Sequence, residues 1–75
     1  MIYPYKINSI ETLYKLSDLA SKEPFSIYVS TPYGQLDVRS LPGLFTVLGE
    51  DINLVVPDHA QAKDFLKFIA KLKAL

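Results

Sequence analysis

Apolar and polar positions alternate along this chain in two rhythms, and each change of rhythm marks a new element. Residues 2–7 are few and rich in tyrosine, which suits a strand, and Pro4 cannot donate to a ladder, which places that strand at a sheet edge. Asn8-Ser9-Ile10-Glu11 then reads as a helix start, with Asn8 as N-cap and Glu11 reaching back to it; Ser9 is the alternative cap. Ile10, Leu13, Leu16, Leu19 and Ala20 form one apolar stripe, with Glu11, Lys15, Asp18 and Lys22 opposite. Pro24 disfavours helix at Glu23 and ends the element. Phe25, Ile27 and Val29 alternate with Ser26, Tyr28 and Ser30, the period-two pattern of a half-buried strand. Thr31-Pro32-Tyr33-Gly34 supplies a turn, and residues 35–39 return as the second arm of a hairpin with Leu36 and Val38 facing inward.

Ser40 is placed to cap a short helix whose first turn holds Leu41 and Pro42, where the missing proline N–H costs nothing. That segment should stop near Leu48-Gly49. Glu50-Asp51 turns the chain into a strand with Ile52, Leu54 and Val56 on one side, closed by Pro57. Asp58-His59-Ala60-Gln61 is a second capping-box-like start, and the helix after it is expected to bury Ala62, Phe65, Leu66, Ile69 and Leu72. The order β-α-β-β-α-β-α predicts an α+β, two-layer open-faced sandwich: a four-stranded antiparallel sheet covered on one face by helices, in a single domain over residues 1–75. Tyr3, Tyr5 and Tyr28 read as amphipathic cover on the bare sheet face rather than as a ligand platform.

Composition narrows the function classes. A chain of 75 residues buries only roughly 60% of its unfolded surface, so one layer of core between sheet and helices is expected. The absence of cysteine removes disulfides, a thiolate nucleophile and Cys-type zinc sites. Eight basic and eight acidic residues cancel, which argues against nucleic acid as a partner. Lys63, Lys67 and Lys71 recur every fourth residue opposite the apolar positions, as a solvated helix face does. No stretch approaches the ~20 apolar residues of a membrane span and no secretion signal is evident, so a cytoplasmic protein without membrane association is expected.

Candidate chemistry is sparse. His59 is the only histidine; beside Asp58 it invites an acid–base or phosphoryl-acceptor reading, but no second catalytic group is near it in sequence. No metal-ligand spacing or cofactor motif is present, and three scattered glycines at 34, 43 and 49 exclude a phosphate-binding loop. Ser40 has two readings. As an N-cap it accepts from an amide two or three residues on; as a phosphorylation site its phosphate would meet free N–H groups and the positive end of the helix dipole.

The element order joins several local matches: Ala20-Ser21-Lys22 closing the first helix, Ser26-Ile27-Tyr28-Val29 opening the hairpin, Ser40-Leu41-Pro42-Gly43-Leu44 just after it, and a last helix alternating apolar and lysine positions. In these features the chain, from about Tyr5 onward, resembles HPr, the histidine phosphocarrier of the bacterial sugar phosphotransferase system. The resemblance implies a phosphoacceptor histidine at the start of the first helix, followed by alanine, arginine and proline. Ser9-Ile10-Glu11-Thr12 stands there instead, a degenerate site in which Ser9 cannot form a phosphoimidazole and Glu11 has the charge of the incoming phosphate.

Ser40 matches the family's regulatory serine, and the catabolite-repression branch of the family likewise keeps that serine without the histidine. Pro42 departs from the flexible apolar residue usual on the kinase-docking surface. The family's partners dock on the outer faces of the first and middle helices, and the matching residues are Ile10, Tyr14, Leu41, Pro42 and Phe45; an aromatic and aliphatic set of that kind suits a protein interface. The resemblance therefore implies a non-catalytic, regulatory domain with a protein partner, linked to the phosphotransferase system or carbon regulation. Two alternatives stay open: a remodelled phosphocarrier using His59 or Ser9, and a small-ligand-binding or self-associating module.

Overall fold

Proline near the start of the chain and inward-facing valines and leucines further on set the limits of the sheet. The computed structural model describes residues 1–58 and 60–75. Its elements are β1 (Ile2–Lys6), α1 (Ile10–Ser21), β2 (Tyr28–Thr31), β3 (Gly34–Asp37), α2 (Leu41–Phe45), β4 (Asp51–Val55) and α3 (Ala62–Lys73). The strands form one antiparallel sheet in the order β1-β4-β2-β3, with the helices on one face. This is the α+β open-faced sandwich expected from the pattern. Leu13 and Leu16 of α1, Leu44 of α2 and Phe68 of α3 are fully buried together with Val29 and Leu54 of the sheet.

β1 is an edge strand, as its proline requires. The Val56 N–H donates to the Met1 carbonyl at 3.2 Å, which fixes the alternation of the β1–β4 ladder. Tyr3 and Tyr5 then exchange hydrogen bonds with β4, while Ile2, Pro4 and Lys6 turn their backbone groups outward. The missing donor of Pro4 thus falls on the free side and costs the sheet nothing.

The same register corrects the reading of the tyrosines. Residues paired across an antiparallel ladder share a face, and Tyr3 and Tyr5 are paired with the buried Leu54 and Ile52. Both rings therefore extend the core on the helix side. Lys73 of α3 stands 5.7 Å from the centroid of the Tyr3 ring, and burial, followed by the neighbouring Tyr3, pushes the Tyr5 phenol above its ordinary value. Only Tyr28, paired with Val55, dresses the open face.

Helix boundaries moved by small amounts with clear causes. Ser9, not Asn8, caps α1, and Glu11 does not complete a capping box. The buried face of α1 is Leu13, Leu16, Ser17 and Ala20, which leaves Ile10 on its flank beside Tyr14 and 52% exposed. α3 starts at Ala62 with Gln61 as an N-cap that makes no side-chain bond, so Asp58 does not start the helix. Its core face is Phe65, Phe68, Ile69 and Leu72, leaving Ala62 and Leu66 exposed. The two stripes are equally periodic, and the one that buries a second phenylalanine removes more apolar surface from water. His59 lies outside the described residues.

The hairpin turn needs its glycine: Gly34 has φ +134°, a conformation that side chains resist. Gly49 likewise takes φ +82° where the chain leaves α2, and its N–H donates to the Ile7 carbonyl at 2.9 Å.

Candidate functional site

Two serine-capped helix starts and the helix faces that follow them carry the residues singled out in the sequence. At the first, Ser9 is extended (φ −151°, ψ 159°), and its hydroxyl oxygen accepts from the Thr12 N–H at 3.1 Å. The same hydroxyl donates to Thr12 Oγ1 at 2.9 Å. Glu11 meets Lys15 Nζ at 2.9 Å, one turn along the exposed side. Hydrogen bonding to Lys15, reinforced by its charge, holds the Glu11 carboxyl below its ordinary value. An occupied hydroxyl and a carboxylate make this end of α1 a poor host for a phosphoryl group.

The second start is built by the end of the hairpin. The Ser40 N–H donates to the Asp37 carbonyl at 2.9 Å, and the Ser40 carbonyl accepts from Leu44 at 3.0 Å, so the turn out of β3 runs directly into α2. The Ser40 hydroxyl accepts from the Gly43 N–H at 3.4 Å, a longer bond than the cap of α1. Pro42 sits in the first turn, where it needs no partner. Gly43 is not required by close approach: a Cβ there would make ordinary contacts, 3.4 Å from Ser40 Oγ and 3.7 Å from Leu36 Cβ.

Arg39 is not available to steady an anion at Ser40. Its Nε and Nη2 donate to the two Asp37 carboxylate oxygens at 3.1 and 2.8 Å, and Nη2 also donates to Ser26 Oγ at 3.3 Å. The Asp37 side chain additionally accepts from the Arg39 backbone N–H at 2.9 Å. These bonds hold the Asp37 carboxyl below its ordinary value and raise that of Arg39. Ser17 ties α1 to this corner by donating to the Arg39 carbonyl at 3.4 Å. The apolar-stripe reading had no place for Ser17. Its spacing from Leu13 and Ala20 was the available signal, since a serine one turn from core positions on both sides must itself face inward.

The docking set is brought together in part. Tyr14 of α1 and Phe45 of α2 meet edge to face, with ring centroids 6.1 Å apart and an interplanar angle of 81°. They remain 50% and 42% exposed. Ile10 lies one turn before Tyr14, and Pro42 lies three residues before Phe45; both are exposed, whereas Leu41 is half-buried and packs against the core. Between Ser40 and Gly49 the chain has no charged residue, so the whole outer side of α2 is neutral. Among the described residues no group of histidines or carboxylates could hold a metal ion, and no helix is long and apolar enough to cross a membrane.

With this geometry established, the class of fold is clear: it is the open-faced sandwich of HPr. The chain superimposes on the crystal structure of HPr-C-His from Thermoanaerobacter tengcongensis with a TM-score of 0.73, over 99% of this chain and 92% of that one, at 12% identity. No protein-family model and no curated protein sequence matches the chain. The shared fold is what the similarity establishes.

Proposed function

We propose that this chain is a non-catalytic HPr-like domain that acts by binding a protein where the outer face of α1 meets the uncharged outer side of α2. The observation that carries the reading is the exposed Tyr14–Phe45 pair, flanked by Ile10 and Pro42 and backed by the half-buried Leu41. Paired, half-exposed aromatics are the material of interface anchors. The partner class suggested by the fold is a protein of the sugar phosphotransferase system or of carbon regulation, and the setting is the cytoplasm. Ser40 is the candidate regulatory phosphorylation site at the margin of this face; among the described residues its exposed hydroxyl makes only the long bond to Gly43. Ser9 and Glu11 mark a start of α1 that has given up phosphoryl transfer.

The test is capture of partners from the native host with wild-type, Phe45→Glu and Ser40→Asp chains. Phe45→Glu should lose the partner while remaining folded, and Ser40→Asp should change its affinity. Incubation with phosphoenolpyruvate and the host's enzyme I should leave the chain unphosphorylated. Acid-labile phosphate on His59, or undiminished capture by Phe45→Glu, would overturn the reading.

A further inference from the structure

From periodicity alone the lysine row of α3 reads as a solvated face, because Leu66 beside it is expected in the core. The structure turns that leucine outward: Phe65, Phe68, Ile69 and Leu72 take the buried positions, and Leu66 is left 65% exposed. Two exposed rows then run side by side along the helix, each stepping four residues at a time. One is apolar, with Ala62, Leu66, Ala70 and Ala74, and the other is Lys63, Lys67 and Lys71. A strip of apolar side chains bordered by lysines is the surface that an interfacial helix presents.

The charge on this side of the molecule has one sign. The exposed residues of α3 include four lysines and no acid, since Asp64, its one carboxylate, is half-buried. α1, which packs beside α3, cancels its own charge: Lys15 meets Glu11 at 2.9 Å and Lys22 meets Asp18 at 3.1 Å. Lys71 reaches Glu23 at 3.4 Å with 59% of its side chain still exposed, and among the described residues Lys63 and Lys67 meet no carboxylate. The kind of cation selects the occupant. Protein interfaces are depleted in lysine and anchored by tyrosine, tryptophan and arginine, and α3 has none of these three. A hydrated ammonium on a flexible apolar stem suits instead a layer of anionic headgroups above an apolar interior.

We propose that the outer face of α3 binds the surface of an anionic lipid bilayer, with its lysines among the headgroups and Leu66 lowered into the boundary with the acyl chains. The contact is peripheral, since no helix among the described residues is long and apolar enough to cross a membrane, and it departs from the expectation of a chain without membrane association. None of these residues belongs to the α1–α2 docking set, so the site stands independently of the partner-binding reading.

The test is sedimentation of the whole chain with vesicles of phosphatidylcholine alone or of equal parts phosphatidylcholine and phosphatidylserine. At low ionic strength the chain should sediment with the anionic vesicles and stay in solution beside the neutral ones, and added salt should release it. The exposed double variant Lys63→Gln, Lys67→Gln should bind the anionic vesicles about ten- to thirtyfold more weakly. Leu66→Ser should weaken binding by about three- to tenfold. Lys6→Gln, on the open face of the sheet, should bind as the wild type does. Equal binding to both vesicles, wild-type binding by the α3 variants, or capture on immobilised poly-L-glutamate without binding to anionic vesicles would overturn the assignment.

Discussion

Ser9 and Ser40 are the same residue in the same structural role, yet the two helix starts they cap differ in almost every other respect. Ser9 opens a 12-residue helix with four buried residues, and its hydroxyl is spent on two bonds to Thr12. Ser40 opens a five-residue helix held by one buried side chain, Leu44, through a single longer bond to Gly43. Glu11 already supplies negative charge to the first turn of α1, whereas the first turn of α2 has none. The difference teaches that a helix cap can be structural ballast or a chemically open position depending on what else satisfies the turn. The first turn of α1 already holds an acidic side chain, and that of α2 holds none.

The largest effect should come from removing what holds each helix. Leu44→Ala and Leu16→Ala should each cost about 2–5 kcal/mol in urea denaturation, because both side chains are fully buried. In Leu44→Ala the amides of α2 should exchange faster than those of α1; uniform loss of protection would break the contrast between the two helices. Next come the caps themselves. Ser9→Ala should cost about 0.5–2 kcal/mol and Ser40→Ala should fall at the low end of that range. A larger loss at Ser40 than at Ser9, read by thermal melts, would reverse the comparison.

A negative charge at each cap sharpens it further. Ser40→Asp should be nearly neutral, while Ser9→Asp, added to a first turn that already holds Glu11, should be slightly less favourable in thermal melts. That gap should shrink in high salt, where surface charges are screened. The smallest effect concerns the clamp leading into α2. Arg39 holds the Asp37 carboxyl below its ordinary 3.8, so its contribution is present above that pH and is lost as the pH falls through the lower folded value. The stability gap between wild type and Asp37→Asn should be under about 1 kcal/mol at neutral pH, since the pair is partly exposed, and should close below pH 3.8. A gap that widens in acid would contradict the assignment.

Much of the fold was legible because local chemistry and tertiary need agreed. Pro4 announced an edge, Pro42 and Ser40 announced a short helix, and Gly34 announced the exit from a hairpin. What could not be read was decided by register or by distant partners. The face taken by Tyr3 and Tyr5 depends on their pairing with Leu54 and Ile52, about fifty residues away in sequence. The choice of Phe68 over Leu66 turns on which of two equally periodic stripes meets the sheet. Tyr14 and Phe45 were both visible as candidate contacts, but their edge-to-face meeting is a property of how α1 and α2 cross.

The placement of Pro4 has one more consequence, for life at high concentration. The two strand edges of this sheet are the places where another chain could add itself in register and begin a fibril or an exchanged dimer. Along β1 only Ile2 and Lys6 offer outward donors, separated by the proline between them, so an incoming strand meets an interrupted row. Along β3 the edge is four residues long, and the Asp37 carbonyl is already taken by Ser40. A sheet with one bare face thereby keeps both borders hard to copy, and Pro4→Val, which restores an outward donor between Ile2 and Lys6, should aggregate faster than wild type in light scattering at equal concentration.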